Sequence, residues 1–156
     1  MARILLTFIL ATLPCAAQFR SMKIWFSGTG CASCTESLGE RMKRVRGVES
    51  AQVNAQEGTL DLQLAAQNRV RLEQIRDFIE QDGTKATRAV VHVNGEVEKL
   101  GDHWILRPPG VSASYDVTGP DLKPGPAIVT GEVRELRAGS GTIQIHATRV
   151  EAAQGP

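Results

Sequence analysis

Between residues 22 and 89 the hydrophobic pattern switches repeatedly between strand-like alternation and helical spacing. That succession constrains the fold more than any other feature. In "MKIWFS" (22–27), apolar Ile24 and Phe26 alternate with Lys23 and Trp25, which predicts a short strand. Gly28 and Gly30 break it. From 33 to 45, Cys34, Leu38, Met42 and Val45 recur at helical spacing, with Glu36, Glu40, Arg41, Lys43 and Arg44 on the other faces. Ser33 or Thr35 suits the start of this helix and Gly47 its end, and the late basic residues suit the negative end of its dipole. Two strands follow, "VESAQVN" (48–54) and "TLDLQLA" (59–65), around a turn at "AQEG". In the second, Leu60, Leu62 and Leu64 face one way and Thr59, Asp61 and Gln63 the other, so one face is buried and one wet. "RVRLEQIRDFIEQDG" then places Leu72, Ile75, Ile79 and neighbouring Phe78 on one helical face, with Gly83 at the stop. "TKATRAVVHV" reads as a further strand.

The order is β-α-β-β-α-β, the split βαβ plan of ferredoxin-like folds, with two helices covering one face of an antiparallel sheet. Beyond residue 90 no helix is legible. Short β-rich runs (90–93, 104–106, 112–117, 128–133 and 142–150) are cut by Asn94-Gly95, Pro108-Pro109-Gly110, Pro124-Gly125-Pro126 and Gly139-Ser140-Gly141. They predict a small all-β unit that suits a barrel. The expected class is α+β: a ferredoxin-like domain over 22–89, then an all-β domain over 90–150. No linker separates the two, so they share the strand near 87–93 or abut rigidly. Trp104 and Tyr115 suit the interior of a small barrel.

Residues 1–17 stand apart. "MARILLTFILATLPCAA" has one basic residue, Arg3, an apolar run over 4–13, then Pro14 and the small residues Cys15, Ala16 and Ala17. This is the layout of a secretory signal peptide cut after Ala17, and it implies export to the periplasm. The apolar run is about half the ~20 residues that a bilayer-crossing helix requires, and no later segment is a candidate. The formal net charge is only +1, which favours small ligands, metal ions and neutral protein surfaces over nucleic acid as partners. "RMKRVR" (41–46) reads as a solvated helix end.

After removal of 1–17, two of the three cysteines remain, Cys31 and Cys34. A disulfide closing so short a loop removes little unfolded-chain entropy, so the pair makes a weak staple. Thiolates select copper(I), zinc and other thiophilic ions over calcium and magnesium. A helix amino terminus beside Cys34 lowers its thiol pKa, which helps metal capture and disulfide exchange equally. The spacing alone does not choose between them. Context does: no proline lies between Pro14 and Pro108, where a thioredoxin-type site needs one near its sulfurs. His92, His103 and His146 are each isolated, which argues against a closed four-ligand zinc site.

"GTGCASC", the helix with Leu38 and Met42, then "GVESAQVN", "GTLDLQL" and "IRDFIEQDG" resemble the heavy-metal-associated domain of copper chaperones, copper-transporting ATPases and exported mercury-binding proteins. The resemblance covers roughly residues 22–89. It implies a ferredoxin-like fold that binds a thiophilic ion through Cys31 and Cys34. The chain departs from the family at Thr29, where a methionine is usual, and at Thr84, where an aromatic or lysine is common; Lys85 follows one step later. The β-rich part is loosely similar to OB-fold barrels through "GEVEKLGDHWIL" and "TGEVRELRAGSGTIQI".

The expected function is that of a non-enzymatic, exported metal carrier for copper(I), with mercury(II) or zinc as alternatives. Its partner is a metal-donor or metal-acceptor protein, and it is a monomer unless two molecules share an ion. The competing readings are a thiol–disulfide exchange protein and an adaptor whose β domain binds a protein.

Overall fold

A computed structural model describes residues 18–28, 32–136, 139 and 141–153. The expected signal segment (1–17) lies outside the described residues. The first half of the chain forms β1 (Phe19–Ser27), α1 (Ala32–Met42), β2 (Val48–Asn54), β3 (Thr59–Leu64), α2 (Leu72–Glu80) and β4 (Lys85–Leu100). These strands lie in the antiparallel order β2-β3-β1-β4, the ferredoxin-like plan. Cross-strand rows explain the helix-covered face. Leu62, Met22 and Val91 stand side by side, and Leu60, Ile24 and Ala89 form the next row. All six are buried against Leu38 and Met42 of α1 and Leu72, Ile75 and Ile79 of α2. The opposite face is polar, and there Lys23 meets Asp61 at 3.5 Å. Arg88 lies 3.9 Å from the Trp25 ring centre.

The second half adds β5 (His103–Arg107), β6 (Tyr115–Thr118), β7 (Gly125–Val133) and β8 (Gln144–Ala152). β4 pairs with β7 along one edge and, after β1 ends, with β5 along the other. β6 joins β5 to β8, its pairing with β8 being parallel, and β8 joins β7. The five strands thus close on themselves as a barrel, with Val97, Leu106, Val117, Val129 and Ile145 buried.

The boundary expected at 89/90 falls inside β4. This strand is 16 residues long, about 50 Å at its usual rise, and it serves both sheets. Asn94-Gly95, read from the sequence as a break, is strand. A Cβ on Gly95 would lie 2.8 Å from both the Arg107 carbonyl oxygen and Leu106 Cδ1, so the glycine is there for close approach of β5. Buried residues from both halves form one continuous core. Tyr115 is fully buried within it and meets Phe19 edge to face, with ring centres 5.6 Å apart. Trp104 is partly buried and packs against the same core, with Lys99 over its ring. It shares a face of β5 with Leu106, two residues on, and stands across from buried Val117.

Candidate metal site

Cys31 lies outside the described residues, as do Thr29 and Gly30, and of Cys34 only its place in the first turn of α1 is described. The frame that carries them is well defined. β1 delivers the chain to Gly28, whose φ of +84° is a left-handed conformation that glycine adopts without strain. α1 receives it at Ala32 and has no acidic residue in its first turn. The two-cysteine segment is therefore the β1–α1 connection, at one end of the sheet.

Two further connections reach that end. The Phe26 N–H donates to the Gly58 carbonyl at 2.8 Å, bringing the β2–β3 turn against the end of β1. Ser27 pairs with Lys85, which brings the α2–β4 connection alongside. Lys85 is exposed there, and Thr84 beside it is buried. A Cβ on Gly28 would lie 3.7 Å from the Gly83 carbonyl oxygen, so the two connections run close together with room for no more than a methyl group between them.

The α2–β4 connection is fastened to α1. Arg41 Nη2 donates to Asp82 Oδ2 at 2.6 Å, and the Arg41 guanidinium lies 5.6 Å from the Phe78 ring centre. The other Asp82 oxygen accepts the Thr84 N–H at 3.3 Å. Burial pushes the Asp82 carboxyl up, but hydrogen bonds from Thr84 and the Arg41 charge outweigh it and hold the group below the usual carboxylate range. Sequence reading missed this bracket. Its residues lie 41 positions apart, and neither periodicity nor spacing pairs a helix-surface arginine with a loop aspartate.

The histidines stay apart. His92 is on the polar sheet face, 3.5 Å from Thr130 Oγ1, and burial together with the Arg20 charge holds its pKa below the ordinary value. His146 Nδ1 is 2.9 Å from Thr118 Oγ1 on the barrel, and His103 is exposed at the start of β5. Among the described residues no three His, Cys, Asp or Glu side chains gather as metal donors.

No family model matches the chain, and no curated protein does. Among solved structures, it is similar to a CopZ metallochaperone at 26% identity and a TM-score of 0.38, over 42% of this chain and 97% of that one. It is also similar to a copper-binding domain from HMA7, a P-type ATPase, at 28% identity and a TM-score of 0.39, over 46% of this chain and 92% of that domain. Both likenesses cover less than half of this chain, and the copper binding named there is a property of those proteins.

Proposed function

We propose that the chain is an exported, non-enzymatic protein that captures a thiophilic ion through Cys31 and Cys34 and hands it to a partner protein. Copper(I) is the first choice, before mercury(II) and zinc. The observation that carries this reading is the position of the two-cysteine segment: it connects β1 to α1 in a β-α-β-β-α-β unit, with Cys34 in the first turn of the helix. Free N–H groups and the dipole at a helix start favour a thiolate, and no carboxylate in that turn opposes it. Thiolates in turn select soft ions. A site of only two sulfurs leaves the ion open to stepwise attack by a partner's thiols, so transfer does not wait for full dissociation. Two molecules sharing one ion through four sulfurs would form a metal-bridged dimer; otherwise the carrier works as a monomer.

The barrel fits an OB-like assignment. Its support is five strands in which the first pairs with the second and fourth, and the third with the fifth in parallel.

Titration of the reduced protein with copper(I) against a competing chelator tests the carrier role. The expected result is one tight equivalent, abolished by Cys31→Ser or by Cys34→Ser. Equal and weak competition by wild type and both variants would sink the reading.

A further inference from the structure

Closure of the barrel gives β4, β5, β6, β8 and β7 a neighbour on each side, and β1 and β3 are flanked as well. Among the described residues β2 is therefore the strand with an open edge. The ladder shows which of its backbone groups are free. The Phe26 N–H donates to the Gly58 carbonyl, so Gly58 faces β1 and the next residue, Thr59, faces β2. Asp61 and Gln63 alternate in step with Thr59, and the β2 residues opposite these three are Asn54, Gln52 and Ser50. The N–H and C=O groups of Ala51 and Val53 are thus left pointing outward.

Soluble proteins usually blunt such an edge with lysine, proline or a bulge. The bulge in β2 lies between Val48 and Ser50, and residues 50–54 beyond it form regular ladder. Those five are Ser-Ala-Gln-Val-Asn, with no lysine, proline or charge. They also complement themselves. Laid antiparallel against a second copy and centred on Gln52, Ala51 meets Val53 on the helix-covered face. Ser50 meets Asn54 on the polar face, and each Ala51–Val53 pair exchanges both of its N–H···O bonds. Glu49, the one charge in the strand, then faces Ala55 and not its own copy.

The helix above the edge fits the same arrangement. Gly39 of α1 sits over this part of β2, where a Cβ would lie 3.3 Å from Val53 Cγ2 and 3.7 Å from the Ala51 carbonyl oxygen. On either side of Gly39 the exposed charges of α1 and its end change sign, with Glu36 and Glu40 on the acidic side and Lys43 and Arg44 on the basic side. A two-fold axis through Gln52 sets two such helices antiparallel, acid toward base.

We infer that β2 pairs antiparallel with β2 of a second copy, joining the two sheets with Gln52 on the two-fold axis and Glu36 of each copy toward Lys43 of the other. The axis turns one copy end for end, so the two Cys31–Cys34 segments lie at opposite ends and share no ion. The pairing is thus separate from an ion-bridged dimer and stands apart from the metal reading. A single edge makes a small, weak interface, so the dilute chain is the monomer and the pair forms as concentration rises.

Sedimentation equilibrium of the reduced full chain, with a metal chelator present and over a range of concentrations, tests it. Residues 1–17 are present in every variant, so the readout is the difference from wild type. The weight-average mass of wild type should climb toward twice that of the chain. Gln52→Lys places like charges across the axis at an exposed position and should weaken association by about tenfold. Glu36→Lys and Lys43→Glu should each weaken it by roughly fivefold, and the double exchange should restore most of the loss. A constant wild-type mass overturns the inference, as does association that Gln52→Lys leaves intact or that the chelator abolishes. Single charge variants that associate like wild type, or a double exchange weaker than both, would overturn the antiparallel arrangement.

Discussion

The Tyr115 hydroxyl lies 3.3 Å from the Leu72 backbone nitrogen and accepts its N–H, so a barrel residue caps the start of α2. The same hydroxyl donates to Glu73 Oε2 at 3.1 Å. The local N-cap residue, Arg71, makes no side-chain cap. Together with the shared β4, this cap joins the two halves into one packed body.

Tyr115→Phe should therefore act on α2 as well as on the barrel. It removes the hydroxyl's two bonds and leaves a helix-end donor unpaired in a buried setting, at an expected cost of about 1–3 kcal/mol. Urea denaturation reads the loss, and hydrogen exchange should place the fastest new opening at the first turn of α2. A variant with wild-type stability and exchange would contradict the cap.

The same hydroxyl sets an alkaline limit. Burial first, and then the Glu73 carboxylate, push its pKa well above the ordinary tyrosine value. The folded protein thus favours the neutral phenol. That stabilisation is complete below the unfolded tyrosine pKa of about 10 and declines as pH rises beyond it. Tyr115 is the only tyrosine, so tyrosinate absorbance reports it without ambiguity. It should appear together with loss of structure in an alkaline titration, not before it.

Asp82 sets the acid side. Its folded pKa is lowered on balance, so its contribution is present above the unfolded value of about 4 and is lost as pH falls through the folded one. Asp82→Asn should cost about 1 kcal/mol at neutral pH and flatten the acid limb of a stability–pH profile. An unchanged acid limb would mean that Arg41 does not hold the α2–β4 connection as described.

Gly95→Ala tests the shared strand. The added methyl meets the Arg107 backbone at 2.8 Å, a contact relieved only by moving β5. The expected cost is about 1–3 kcal/mol. Because β4 belongs to both sheets, denaturation should remain one transition when followed by Trp25 on the first sheet and Trp104 on the barrel. Two separated transitions would contradict the single core.

What the sequence made legible was local. Leu60, Leu62 and Leu64 alternate because one face of β3 is buried, and Leu72, Ile75 and Ile79 recur because α2 covers that face. Each pattern is written in adjacent residues. The joint between the halves was not. Asn94-Gly95 carries the ordinary signature of a turn, and only the approach of Arg107 and Leu106 makes it continuous strand. Tyr115 read as a barrel core residue, and it is one, but its cap on a helix 43 positions away leaves no local trace. Trp104 read as core by its type, and it does pack against the core from Leu106's face of β5, though it stays partly exposed. For the candidate metal site, the residue types and their setting between a strand and a helix were readable. The Arg41–Asp82 bracket beside it was not, since it depends on tertiary contact alone.

The account stands or falls on the two cysteines acting together on one ion. X-ray absorption at the copper edge, on the reduced protein loaded with one equivalent of copper(I), addresses that most directly. The expected spectrum is that of copper(I) with two sulfur neighbours, which Cys31→Ser and Cys34→Ser each change to a mixed or solvent-like shell. A shell of nitrogen and oxygen in the wild type, or a sulfur shell that survives both substitutions, would contradict it.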